Sequence, residues 1–302
     1  MNVDIDKIIS KYDSSKTEAL KTLMYHERNK QVFFSSGAYY MRDNKGKLRV
    51  LSGLLPALRR CFWPKYDYFK VIGEITKIAK SKGKSVQSGH TFGRFYGNIR
   101  GSAIHEQLND FLLLDKKNFF KKHCNLHPWA REIVNLILDN KWIPIVSEFD
   151  VFDSKLIIGT SCDMICFDPR SGKIIAIEIK TGYKNHFEIE RGKMGGCLKN
   201  VMPFSFHHCS VLQLATAMIF IIKNHNIDSS MIEGHIIQIN DSETNTYKIS
   251  QQFIIDYGKK IYDNLYRKYI SDIKLKRKLK KDAKENKKKN PIKRNYKRTP
   301  RK

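Results

Sequence analysis

Residues 159–182 read G-T-S-C-D-M-I-C-F-D-P-R-S-G-K-I-I-A-I-E-I-K-T-G. The pattern predicts two apolar strands joined by a turn at Asp168-Pro169-Arg170-Ser171-Gly172. Asp163 lies in the first strand, and Glu178-Ile179-Lys180 ends the second. Side chains two apart on a strand share a face, so Glu178 and Lys180 point the same way. Ile174, Ile175, Ala176, Ile177 and Ile179 make the second strand too apolar for a surface hairpin. Three charged side chains are thus carried into a buried sheet, where charge without a partner is costly.

Two readings account for them. An Asp/Glu/Lys ion cluster at the mouth of the sheet is one. A bound divalent cation is the other: Mg²⁺ and Mn²⁺ take oxygen ligands, and Asp163, Glu178 and the Ile179 carbonyl would supply part of such a shell.

Upstream, Gly101-Ser102-Ala103-Ile104-His105 opens a segment whose Ile104, Leu108, Phe111 and Leu112 form one apolar stripe at helical spacing. His105 falls at the edge of that stripe, as a satisfied core histidine or as a ligand. Downstream, Gln213 sits in Val211-Leu212-Gln213-Leu214-Ala215-Thr216-Ala217-Met218-Ile219-Phe220. An amide in so apolar a helix needs partners, either another helix or a polar site. The order G-x-x-x-H, then Asp163, then Glu178-x-Lys180, then Gln213 resembles the PD-(D/E)xK nuclease superfamily, in its RecB and phage lambda exonuclease branch. The resemblance covers about residues 97–225. It departs from the family at Ala217, where a tyrosine is frequent, and at Cys162, which replaces a proline.

The resemblance implies a restriction-endonuclease-like α/β core, a central mixed sheet flanked by helices. It implies His105, Asp163, Glu178 and the Ile179 carbonyl as ligands of Mg²⁺ or Mn²⁺, with Lys180 and Gln213 as catalytic groups. The expected reaction is phosphodiester hydrolysis in single- or double-stranded DNA. Exonucleolytic cutting is favoured, in replication, recombination or repair. An endonuclease on the same core is the alternative among enzymes, and a non-cutting DNA-binding or packaging protein the alternative outside them. Glu148, in the strand expected over 141–152, is either an exposed edge residue or a further acid of the site. Glu106 and Asp150 are lesser candidates.

The composition is basic and agrees with a nucleic-acid partner. The 302 residues carry a net charge of +26. Residues 274–302 hold 16 Lys/Arg against two acids, a net +14. A stretch so basic binds phosphate backbones in a salt-dependent way, and Lys276-Arg277-Lys278 and Lys287-Lys288-Lys289 resemble nuclear-import clusters. Six cysteines without a C-x-x-C pair point away from zinc ribbons and disulfide frameworks and toward a reducing compartment. The first residues lack the regions of a secretory signal, and the longest apolar run, 211–222, is too short to cross a bilayer. The expected location is intracellular and nucleic-acid-associated, without membrane contact. The Lys/Asn/Ile-rich composition suits an AT-rich genome such as that of a large DNA virus.

Three regions are expected: a helical N-terminal part over 1–96, the nuclease core over 97–273, and a disordered basic tail over 274–302. Within the first, helices are expected at 8–26, 54–62 and 68–81, with Arg59, Arg60, Trp63, Lys65 and Tyr66 either as a DNA-gripping wall or as a packed cap. Residues 81–97 and 183–203 read as mobile loops near the site. Strands over 234–240 and 246–250 and an amphipathic helix from 253 to about 279 follow.

Overall fold

A computed structural model of the chain describes residues 5–28, 32–35, 38–42, 46–64, 101, 103–111, 126–182 and 187–289. The helix expected at 68–81, the loop at 81–97, Lys65, Tyr66 and residues 290–302 lie outside them.

The expected hairpin is the centre of the fold. β5 (Ile158–Asp168) and β6 (Lys173–Thr181) are joined through the turn at Asp168–Gly172, in which the Gly172 N–H donates to the Asp168 carbonyl at 2.8 Å. Asp168 Oδ1 accepts the Arg170 N–H, and its Oδ2 the Ser171 hydroxyl. Gly172 has φ +73, and a Cβ there would lie 2.9 Å from the Lys16 carbonyl oxygen, so both the dihedral and the space call for glycine. β4 (Ile143–Asp153) runs antiparallel along one edge of β5, with a register shift at Pro144/Val146. β7 (Ile232–Ile239) runs parallel to β6, and β8 (Thr244–Lys248) closes that side.

Among the described residues the sheet has eight strands, mixed in direction. Three of them arise where the sequence reading placed only helices. β1 (Val32–Ser35), β2 (Ala38–Arg42) and β3 (Leu48–Gly53) form an antiparallel meander, and β3 pairs parallel with Ile158 and Gly159 of β5. The division at residue 96 therefore cuts through one continuous sheet. Aromatic and β-branched residues in this meander (Val32, Phe33, Tyr39, Tyr40, Val50) favour strands.

Helices cover both faces. On one side lie α1 (Ile5–Lys11), α2 (Ser14–Arg28), α3 (Leu54–Phe62), α6 (Phe206–His225) and α7 (Gln251–Lys289). Leu20, Leu58, Phe62, Leu214, Phe220 and Ile261 meet Phe167, Ile174 and Ala176 there. On the other lie α4 (residues 103–111) and α5 (Pro128–Asp139), where Ile104, Leu108, Ile133 and Ile137 meet Met164, Ile175, Ile177 and Ile237. The single helix expected at 8–26 is two, because Asp13 accepts the Ser15 N–H and starts α2 afresh.

Three further expectations change. Residues 187–203 are packed, with Phe187, Met194 and Leu198 buried and the Gly195 N–H donating to the Phe62 carbonyl. α6 is 20 residues long and apolar enough, by length and composition, to cross a bilayer, yet much of it is buried in this core. And α7 continues to Lys289, so residues 274–289 are helical rather than a disordered tail. Lys, Glu, Arg, Leu and Ala favour helix, and after Pro203 the next proline is Pro291.

Candidate metal and catalytic site

The β5–β6 ladder ends at the pair Met164–Ile177. The next pair in register, Asp163 with Glu178, is not made; from there β5 follows β4 and β6 follows β7. Farther along the same edge of β5, pairing resumes only with β3 at Ile158 and Gly159. Residues 160–163 thus line a fork between strands, and the charged residues gather in it.

Asp163 bridges the fork. Its Oδ2 accepts the Ile179 N–H at 2.5 Å. A residue's N–H and C=O project to the same edge of an extended strand, so the Ile179 carbonyl also faces this opening. Side-chain alternation slips here: Cys162 and Met164, two apart, belong to cores on opposite faces. The register Ser147–Met164 and Phe149–Cys162 sets Glu148 opposite Asp163, and Glu148 has φ +49. That left-handed backbone is uncommon for a glutamate in a strand and is typical of strained functional positions.

Glu148 is half exposed on β4, an edge strand, and it also meets residues of this opening. Its Oε1 lies 2.9 Å from His105 Nδ1, and its Oε2 accepts the Ser161 hydroxyl at 3.3 Å. His105 Nδ1 is 3.9 Å from Asp163 Oδ1. One ligand atom each from His105, Glu148 and Asp163 lies within 4.8 Å of the others. His105 reaches the fork because α4 buries Ile104 and Leu108 and leaves the histidine at the stripe's edge. The start of that helix abuts the end of β6: a Cβ on Gly101 would lie 3.5 Å from Thr181 Oγ1.

Glu178 lies beside this cluster, on the α6 side. It is only 3 % exposed. Its Oε1 accepts from Lys180 Nζ at 2.5 Å and from Gln213 Nε2 at 2.7 Å, and Gln213 Oε1 lies 3.4 Å from the same ammonium. The shared face of Glu178 and Lys180 and the polar partner demanded by Gln213 are both observed. Asp150, paired with Ser161 across β4–β5, and Glu106 do not join the three-residue cluster.

The electrostatics are unbalanced. Burial, and then the neighbouring Glu178 charge, push the Asp163 carboxyl up to about 7, although His105, Lys180 and the Ile179 N–H act the other way. The hydrogen bond to Glu148 raises the His105 pKa above its ordinary value against the effect of burial, and the same bond lowers that of Glu148. Three carboxylates facing one ammonium and one imidazole suit a cation. One nitrogen and several oxygens are donors that Mg²⁺ or Mn²⁺ accepts.

Sequence reasoning missed Tyr39 and Ser161. Tyr39 of β2 donates its hydroxyl to Ser161 Oγ at 3.1 Å. The runs V-F-F-S, A-Y-Y-M-R and L-R-V-L-S-G, separated by Ser36-Gly37 and Asn44-Lys45-Gly46, carried the hairpin signal that leads to Tyr39.

No family model and no curated protein matches the chain. Among solved structures it is similar to one described as the crystal structure of SSO0001, at 16% identity over 56% of this chain and 87% of that one, with a TM-score of 0.21. A likeness at that score carries no argument.

Proposed function

We propose that the protein is a metal-dependent deoxyribonuclease that hydrolyses phosphodiester bonds, acting from DNA ends. One observation carries the reading. Residues from α4, β4, β5, β6 and α6, far apart in sequence, bring three carboxylates, an imidazole, an ammonium and an amide to the one fork in the sheet. The wider PD-(D/E)xK and RecB-like assignment rests on the same residues and their order.

His105, Asp163 and Glu178, with the Ile179 carbonyl, would hold Mg²⁺ or Mn²⁺, and Glu148 would orient His105. When bound, such an ion polarises a scissile phosphate and makes a water more acidic. The chain's own groups do the rest. Lys180, fixed between Glu178 and Gln213, offsets charge that grows on phosphate oxygens in the transition state. Gln213 donates to Glu178 and so helps to hold it in place. The Ile179 N–H anchors Asp163 so that its other oxygen stays turned to the opening. Residues 274–289 of α7, with ten Lys/Arg and two acids, extend about 25 Å and supply phosphate contacts. Nuclear enrichment through the two basic clusters is part of the proposal.

The test is incubation of end-labelled linear and covalently closed circular DNA, single- and double-stranded, with Mg²⁺, Mn²⁺ or EDTA. Cation-dependent loss of linear DNA alone is expected. Cutting of closed circles would make the enzyme an endonuclease. Binding without any cutting would make the chain a non-catalytic DNA-binding or packaging protein.

A further inference from the structure

The nuclease reading assigns no role to the N-terminal meander, yet one of its side chains ends at the site. The Tyr39 hydroxyl donates to Ser161 Oγ at 3.1 Å, Ser161 donates to Glu148 Oε2 at 3.3 Å, and Glu148 Oε1 meets His105 Nδ1 at 2.9 Å. We infer that Tyr39 and Ser161 are positioning residues that pin Glu148 against His105, so that β1–β3 complete the cation site rather than merely extend the sheet. The inference rests on the proposed metal-dependent reading of that site.

Three observations support it. First, the directions of the bonds are forced at one end. An ionised carboxylate only accepts, so Ser161 turns its hydrogen to Glu148, which leaves its lone pairs for the Tyr39 hydroxyl. Donors lined up in this way polarise one another. Second, the path is cleared for the ring. Tyr39 crosses β5 over Gly159, where a Cβ would lie 2.9 Å from both Tyr39 Cβ and Cγ. Phe34 packs against the Tyr39 ring, with centroids 4.9 Å apart, and Leu51 is its partner across β2–β3. Third, Glu148 needs holding. Its side chain is half exposed and its backbone has φ +49, so among the described residues these polar contacts fix where its two oxygens point.

Both oxygens of Glu148 are thereby occupied, one by Ser161 and one by His105. With Glu148 ionised and the ring neutral, as a metal ligand must be, His105 carries its hydrogen on Nδ1, which leaves Nε2 with the lone pair. A carboxylate behind an imidazole is the arrangement that fixes ring orientation and tautomer at metal sites, and loss of such a partner costs about 10- to 100-fold in metal affinity.

The experiment compares full-length wild type with Tyr39→Phe, Ser161→Ala and Ser161→Thr by three measurements. These are the ring ¹⁵N signals of His105 in cation-free protein (assigned by their loss in His105→Ala), Mn²⁺ affinity by calorimetry, and thermal midpoint. The wild type should show one Nδ1-protonated tautomer. Tyr39→Phe and Ser161→Ala should show mixed tautomers and about tenfold weaker Mn²⁺ binding, with nearly unchanged midpoints. Ser161→Thr, which keeps the hydroxyl, should restore both. Wild-type His105 signals and Mn²⁺ affinity in Tyr39→Phe and Ser161→Ala would overturn the inference while leaving the cation site standing. If the wild type binds no Mn²⁺, the metal-dependent reading falls, and the His105 signals alone then decide whether Tyr39 and Ser161 set the position of Glu148.

Discussion

Glu178 and Glu233 sit on neighbouring parallel strands, each with a lysine 2.5 Å away, yet they belong to different kinds of cluster. At the far end of the sheet, Glu233 receives Lys173 and Lys248. Burial works against its charge, but the two lysines outweigh it and hold its carboxyl below the ordinary value. Two cations for one anion make a closed, structural arrangement that needs nothing more. At the fork, Glu178, Asp163 and Glu148 share Lys180 and His105. Asp163 is left so poorly compensated that its pKa is pushed up to about 7. The lesson lies in the balance of charge and not in the number of charged groups: the partners of Glu233 neutralise it, whereas those at the fork leave Asp163 short, and that shortfall is what the proposed cation would make good.

The sharpest way to break this contrast is to remove each acid in turn. Asp163→Asn and Glu178→Gln should each lower cleavage by about 10³-fold or more while DNA binding persists. Glu233→Gln should leave cleavage at the wild-type rate and lower stability instead. Retained turnover in either fork variant, measured under the same cation concentration, would remove the site from the proposal.

His105→Ala should have the next largest effect, about 10- to 100-fold on activity, and should abolish a preference for Mn²⁺ over Mg²⁺, because imidazole is a better ligand for manganese. A less stable variant that keeps the wild-type Mn²⁺/Mg²⁺ ratio would make His105 a packing residue.

Truncation before Lys274 removes a net +14 and none of the fork residues. The log affinity for DNA should then fall less steeply with log salt than it does for the full chain, and turnover at saturating DNA and low salt should survive. Loss of turnover in a folded truncated protein would tie the end of α7 to the chemistry.

Stability against pH should separate the two clusters by sign. The Asp163 pKa is raised above its ordinary 3.8, so the cation-free fold binds that proton more tightly than the unfolded chain. Its contribution is present at low pH and is lost as pH rises from about 4 to about 7. Asp163→Asn should therefore gain midpoint relative to wild type at pH 8, with the gain shrinking toward pH 4. Glu233 is shifted the other way, so its contribution is present near neutrality and is lost as pH falls below the ordinary glutamate value. Glu233→Gln should cost stability at pH 7 and little at pH 3. Equal pH profiles for the two variants would dissolve the comparison.

The smallest effect tests the hairpin that both clusters flank. Gly172→Ala places a Cβ at φ +73 and 2.9 Å from the Lys16 carbonyl oxygen, and should cost about 1–2 kcal/mol in denaturant unfolding without changing the cleavage rate.

Much of the site was legible in the chain. Ile174 to Ile179 announced a buried strand, so Glu178 and Lys180 had to share a face and to find partners. Gln213, alone among apolar neighbours on a helix, needed an acceptor and met Glu178. His105 followed from the stripe of Ile104, Leu108 and Phe111. The positive φ of Glu148 could not be read, because an alternating strand gives no sign of one in its middle. The meander over residues 32–53 was missed although its aromatic runs and glycine turns were present, because the flanking helices and basic residues dominated that region. The continuation of α7 was readable from its Lys, Glu and Leu content; charge density suggested disorder, and helix propensity prevailed.

By itself, then, the sequence determined which residues are paired within one strand or helix: Glu178 with Lys180, the closed turn from Asp168 to Gly172, and the basic end of α7. Spacing of two or of 3.6 is a local property and survives without knowledge of neighbours. Only the tertiary structure decided where β5 and β6 part, that β3 resumes the edge beyond them, and that Tyr39 therefore ends beside Ser161 and Glu148. Those outcomes depend on which strands compete for the same edge, and that competition is settled by packing of the whole sheet between its two helical layers.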